Sequence, residues 1–78
     1  MKSMINVIIV EDSNTIREGL KLLIDGTEGY TCLNAYSNCE DLLDEIDKYD
    51  VDIILMDIDL PGISGIEGIR RIKKISSE

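Results

Sequence analysis

From Met4 to Val10 the chain is apolar at every position except Asn6. A strand that alternates apolar and polar residues can leave one face in water. A strand that is apolar at consecutive positions needs cover on both faces. The neighbouring segments have the pattern of that cover. Ser13 or Asn14 can cap a helix, in which Ile16, Leu20, Leu23 and Ile24 recur at helical spacing opposite Arg17, Glu18 and Lys21. Gly26 is a stop signal. Tyr30 to Ala35 reads as a second strand. Ser37-x-x-Glu40 has the form of a capping box opening a short acidic helix with Leu42, Leu43 and Ile46 inward. Asp52 to Met56 is a third strand, and Pro61-Gly62 is a turn. Ser64-x-x-Glu67 is a second capping box. It opens a last helix whose Ile66, Ile69, Ile72 and Ile75 are expected in the core.

Strands alternating with helices predict an α/β fold with a parallel sheet and right-handed crossovers. With 78 residues the chain holds one small domain, without linker or repeat. A composition 44% hydrophobic and 31% charged is that of a globular chain. The formal charge is −8, although Arg70, Arg71, Lys73 and Lys74 gather half of the basic residues. Such a chain repels phosphate backbones, which argues against direct nucleic-acid binding. The basic stretch reads as the solvated end of the last helix, complementing its dipole. No apolar run is long enough to span a membrane and no signal peptide is evident. Cys32 and Cys39, with no histidine in the chain, make neither an ordinary zinc site nor a disulfide framework. Reduced thiols in a cytoplasmic protein are the expectation.

Carboxylates mark two strand ends. Glu11-Asp12 follows the first strand, and Asp57, with Asp59 two residues on, follows the third. In an open parallel sheet, ligands bind at that carboxyl edge. Taken singly, Glu11 and Asp12 could be helix N-terminal charges, and Asp57 a solvated strand end. Taken together, clustered carboxylates require a cation or a proton to coexist. A Mg²⁺ site beside a reactive Asp57 is the simplest reading.

Glu11-Asp12 after Val7-Ile8-Ile9-Val10, followed by Ile54-Leu55-Met56-Asp57-x-x-Leu60-Pro61-Gly62-x-x-Gly65, resembles the receiver domain of bacterial two-component response regulators. The resemblance implies a flavodoxin-like fold, here the first three βα units with sheet order 2-1-3. It implies that Asp57 accepts a phosphoryl group from a sensor histidine kinase. It also implies that Mg²⁺ is held by Glu11, Asp12, Asp57 and the backbone carbonyl of Asp59. The family more often has two aspartates where Glu11-Asp12 stands. The wording around Asp57 is closest to regulators with a helix-turn-helix output domain, so transcription regulation is the implied output.

A complete receiver has five strands and five helices, so residues 1–78 are expected to be a partial domain lacking the fourth and fifth βα units. The end of the chain looks like a fragment boundary. The family's phosphoryl-contacting Ser or Thr, its strand-end Lys and its aromatic switch residue have no counterpart here. The third strand then becomes an edge, and exposed apolar edges invite pairing. A domain near this size buries only about 60% of its unfolded surface. A homodimer or swapped oligomer through that edge is therefore expected. Two other functions are weighed. One is a non-catalytic, self-associating interaction module. The other is a haloacid-dehalogenase-type phosphatase suggested by Asp57-x-Asp59, which lacks the downstream motifs. The calcium-loop pattern fails, because its twelfth position is Gly68 rather than a bidentate Glu.

Overall fold

The apolar run becomes the central strand of a three-stranded sheet. Residues 4–76 are described by the computed structural model. β1 (Ile5–Val10) lies between β2 (Tyr30–Tyr36) and β3 (Ile53–Met56), all parallel, in the expected order β2-β1-β3. Val7, Ile8, Ile9 and Val10 are each 2% exposed or less, so β1 is covered on both faces. α1 (Asn14–Asp25) lies against β1 and β2. α2 (Cys39–Glu45) runs into a 3₁₀ turn (Ile46–Lys48), and α3 (Gly65–Ser76) packs against α2. Ile8 and Val10 join Tyr36, Cys39, Leu42, Ile46 and Leu60 in the main core, with Ile54, Met56, Ile63 and Ile72 around them. Alternation places Val7 and Ile9 on the opposite face, with Ile53 and Leu55 beside them in register. α1 does not extend over β3, so Ile53 and Leu55 stay 39% and 40% exposed.

The β1–β2 ladder slips once. Val7 pairs with Cys32 but Ile8 pairs with Asn34, so Leu33 is extra. The bulge breaks strict alternation, and Leu33 and Tyr36 both reach the main core.

Three expectations are corrected. α2 is capped by Asn38, not Ser37: Asn38 is extended, and its Oδ1 accepts from the Asp41 amide at 2.8 Å. Burial sets this phase, because a helix starting at Cys39 places Cys39 and Leu42, one turn apart and each fully buried, on the inner face. At α3, Ser64 Oγ does accept from the Glu67 amide at 3.2 Å, but the Glu67 carboxylate turns forward to Arg70 and Arg71 instead of back. The isoleucine stripe is the third. A three-residue step falls about 60° short of a full turn, so four such residues spiral off the inner face. Ile72 packs on the core, whereas Ile66, Ile69 and Ile75 are 61%, 40% and 52% exposed. Ser77 and Glu78 lie outside the described residues.

Asn34, Tyr36, Glu45 and Tyr49 form one hydrogen-bonded cluster. The Tyr36 hydroxyl is 2.5 Å from Glu45 Oε1 and 2.6 Å from the Tyr49 hydroxyl, which accepts from Asn34 Nδ2 at 2.9 Å. Burial first, then the bonds to Glu45 and Tyr49, hold the Tyr36 phenol well above its ordinary value of 10. The folded chain therefore keeps this proton after the unfolded chain has lost it. The stabilisation is intact below that ordinary value and declines above it. The urea midpoint is expected to fall from about pH 9 to about pH 11, with a shallower fall in Tyr36→Phe. Parallel slopes in the two proteins would contradict this role for Tyr36.

Candidate functional site

The ladder that centres β1 also brings the acids together. Val10 pairs with Met56, so β1 and β3 end level. One further hydrogen bond on each side extends the order past the strands: the Asp57 amide donates to the Val10 carbonyl and the Glu11 amide to the Tyr36 carbonyl, both at 2.9 Å. Carboxylate oxygens of Glu11, Asp12 and Asp57 then all lie within 4.8 Å of one another. Glu11 and Asp57 are half-buried and Asp12 is exposed.

Local bonds orient two of the three acids. Glu11 Oε2 accepts from the Ser13 amide at 2.9 Å, at the mouth of α1, where Ser13 Oγ in turn accepts from Ile16. Arg17 reaches back to donate to the Glu11 carbonyl at 2.9 Å and also bonds Asn14. Asp57 Oδ1 accepts from the Asp59 amide at 3.2 Å. Asp59 is thus next to the cluster through its main chain. Its exposed side chain is not one of the three clustered acids.

The loop beyond Asp57 is anchored at several points. Leu60 is buried in the core. Gly62 takes φ +71°, in the left-handed region where a side chain is strained. The Ile63 amide donates to Glu40 Oε2, across from α2, at 3.0 Å. The Gly65 amide donates to the Ile58 carbonyl at 3.1 Å, and a Cβ on Gly65 would lie 2.1 Å from the Asp57 carbonyl oxygen. Only a residue without a side chain lets α3 begin so close to the Asp57 main chain. Beneath the loop, Cys39 Sγ is 3.5 Å from Met56 Sδ and 3.8 Å from the Ser64 carbonyl. Burial pushes that thiol up, with the Glu40 charge adding to it.

Sequence reading singled out Glu11, Asp12 and Asp57, and the fold brings these three together. It missed Glu40, taken for a local cap, since nothing in the sequence links it to a partner 23 residues away. Gly65 was visible as part of a motif, but its contact with Asp57 was not.

The three acids thus stand at the carboxyl edge of an open parallel sheet, where ligands bind in α/β folds. The chain belongs to the response regulator receiver domain family, whose model matches residues 7–78. It is 43% identical over 68 residues to the transcriptional regulatory protein YdfI of Bacillus subtilis, covering 87% of this chain and 32% of that protein. It is 35% identical over 69 residues to protein-glutamate methylesterase/protein-glutamine glutaminase 2 of Burkholderia thailandensis, covering 88% of this chain and 20% of that protein. The response regulator domain of Thermotoga maritima CheB superposes with a TM-score of 0.87 at 29% identity, covering 94% of this chain and 55% of that one. The chain therefore spans a third or less of these two sequence relatives, and about half of that domain.

Gly65→Ala is expected to cost on the order of 1–3 kcal/mol of unfolding free energy through overpacking, and to shift the Asp57 and Ile58 backbone resonances most. Unchanged stability with unchanged resonances at both positions would contradict the close approach.

Proposed function

We propose that Asp57 is the phosphoacceptor of a two-component signalling receiver. The observation that carries this reading is the gathering of Glu11, Asp12 and Asp57 carboxylate oxygens within 4.8 Å in a chain of the receiver family. The donor is the phosphohistidine of a sensor histidine kinase. An Asp57 oxygen attacks phosphorus, the P–O bond forms as the P–N bond breaks, and the imidazole leaves with the electron pair. The product is an acyl phosphate. The segment is a phosphoacceptor rather than an enzyme.

The donor set fits Mg²⁺, which takes oxygen ligands and needs few carboxylates. Glu11, Asp12 and Asp57 would hold it, with the Asp59 carbonyl as a further ligand. When bound, the ion offsets charge on the phosphoryl oxygens during in-line transfer. The half-buried Glu11, held by the Ser13 amide, keeps its carboxylate at the cluster throughout.

Ile5 to Ser76 supply the first three βα units of such a receiver, and within a complete regulator the phosphoryl group would regulate an output domain. YdfI, a named transcriptional regulator, favours a DNA-binding output; the methylesterase relative shows that receiver-like segments also accompany other outputs. No helix among the described residues is long and apolar enough to cross a membrane. A cytoplasmic location is part of the proposal.

Intact mass after incubation with a small-molecule phosphodonor and Mg²⁺ tests the chemistry. One added phosphoryl group is expected, absent without Mg²⁺ and absent in Asp57→Asn. No addition to the folded chain, or equal addition to Asp57→Asn, would overturn the assignment for this segment.

A second reading rests on β3. Its pairing partner is β1, and Ile53 and Leu55 are half-exposed beside that edge. Self-association through this edge, as a dimer or swapped oligomer, would cover them. Sedimentation is expected to show concentration-dependent oligomers that Leu55→Lys weakens. A cooperatively folded monomer at all concentrations would exclude it, whereas Asp57→Asn leaves this behaviour unchanged.

A further inference from the structure

We propose that Glu40 is a positioning residue that fixes the loop between Asp57 and α3 from a separate helix, and so sets the geometry of the Asp59 main chain at the acidic cluster. The inference rests on the site reading above. Three observations carry it.

The first is that Glu40 is released from local work. A capping box from Ser37 would turn its carboxylate back onto the Ser37 amide. Asn38 caps α2 instead, so Glu40 falls in the first turn with its carboxylate free to leave the helix.

The second is where that carboxylate goes. Glu40 Oε2 accepts from the Ile63 amide at 3.0 Å. A Cβ on Gly62 would lie 2.2 Å from the same oxygen and 3.1 Å from Glu40 Cδ. The carboxylate is therefore seated on the Gly62–Ile63 peptide, a closeness that the bare Gly62 permits. Its acceptance from a backbone N–H is of the stronger, charge-assisted kind.

The third is what lies between the fixed points. The segment leaves β3 at Asp57, whose amide is tied to Val10, and enters α3 at Gly65, tied to Ile58. Leu60 is held in the core. Ile58, Asp59, Pro61 and Ser64 are not buried, and Asp59 donates to Asp57 Oδ1. Without the bond to Glu40, the left-handed turn at Gly62 loses its hydrogen bond to α2, and the loop is left with the packing of Leu60 and Ile63 and the weak Cys39 Sγ contact to the Ser64 carbonyl. The Asp59 main chain is then less narrowly placed against Asp57. The acids themselves stay, since β1 and β3 set them. The inferred effect is on how well an ion is held, not on whether the phosphoacceptor exists.

The test compares Glu40→Ala, which removes the acceptor, with Glu40→Gln, which keeps an uncharged acceptor oxygen of the same reach. Amide resonances of Asp57, Asp59 and Ile63 are followed during titration with Mg²⁺, without phosphodonor. For E40A, the half-saturating Mg²⁺ is expected to rise about three- to tenfold, a fraction of what a hydrogen bond to a charged group is worth, and the Ile63 amide is expected to lose protection from exchange. E40Q is expected to recover most of both. Equal Mg²⁺ dependence in the parent and E40A, or E40A and E40Q behaving alike, would overturn the proposal. Should E40A fail to fold, E40Q carries the test: its Ile63 amide proton must move upfield, toward a weaker bond, and an unmoved resonance overturns the proposal. Failure of the phosphoacceptor reading would show differently. The parent would then show no Mg²⁺ response at Asp57 or Asp59, while the Ile63 amide still reported whether the cross-link exists.

Discussion

The burial of β1 on both faces is the constraint from which the rest of the structure follows. Four consecutive residues, Val7 to Val10, are removed from water. Each fully buried aliphatic side chain of this kind is worth roughly 1.5–3 kcal/mol. That gain requires strands on both sides and a layer on each face. Once β2 and β3 are paired to β1, their ends are set by register. The level ending of Val10 and Met56 delivers Glu11 and Asp57 to the same point. The acidic cluster is thus a by-product of apolar packing, held in place by groups that take no part in its chemistry.

The charges are distributed in a way that serves this arrangement. The two arginines of α3 are engaged locally: Glu67 bonds Arg70 at 2.7 Å and Arg71 at 3.0 Å on an exposed face. Pairs of this kind contribute little to stability. Arg17 is the cation placed nearer the acids, but it bonds the Glu11 carbonyl, not a carboxylate. No cation of the chain is thus bonded to the three clustered carboxylates among the described residues.

Much of this was legible in the sequence, for a definable reason. Periodicity reports burial and marks the strands and helices, whose ends carry Glu11, Asp12 and Asp57; the strand order came from the family resemblance. Features fixed by contact across the chain were not legible. Ser37 and Asn38 are both good caps, and only the burial of Cys39 and Leu42 selects between them. Glu40 reads as the end of a local box until Ile63 is brought beside it. Apolar character alone does not place the isoleucines of α3, because residues three apart drift around the helix and only Ile72 stays on the inner face. The Leu33 bulge left no mark in the sequence, because either phase of β2 offers apolar residues to the core.

The contact at Gly65 has a mechanical meaning. The first turn of α3 rests against the Asp57 carbonyl with no side chain between them. α3 has 12 residues, so at 1.5 Å per residue it is a rod of about 18 Å. With its pivot at the strand end, a tilt of about 5° there sweeps the far end through about 1.5 Å. A displacement of the Asp57 main chain at that contact would thus be magnified along α3 in proportion to its length.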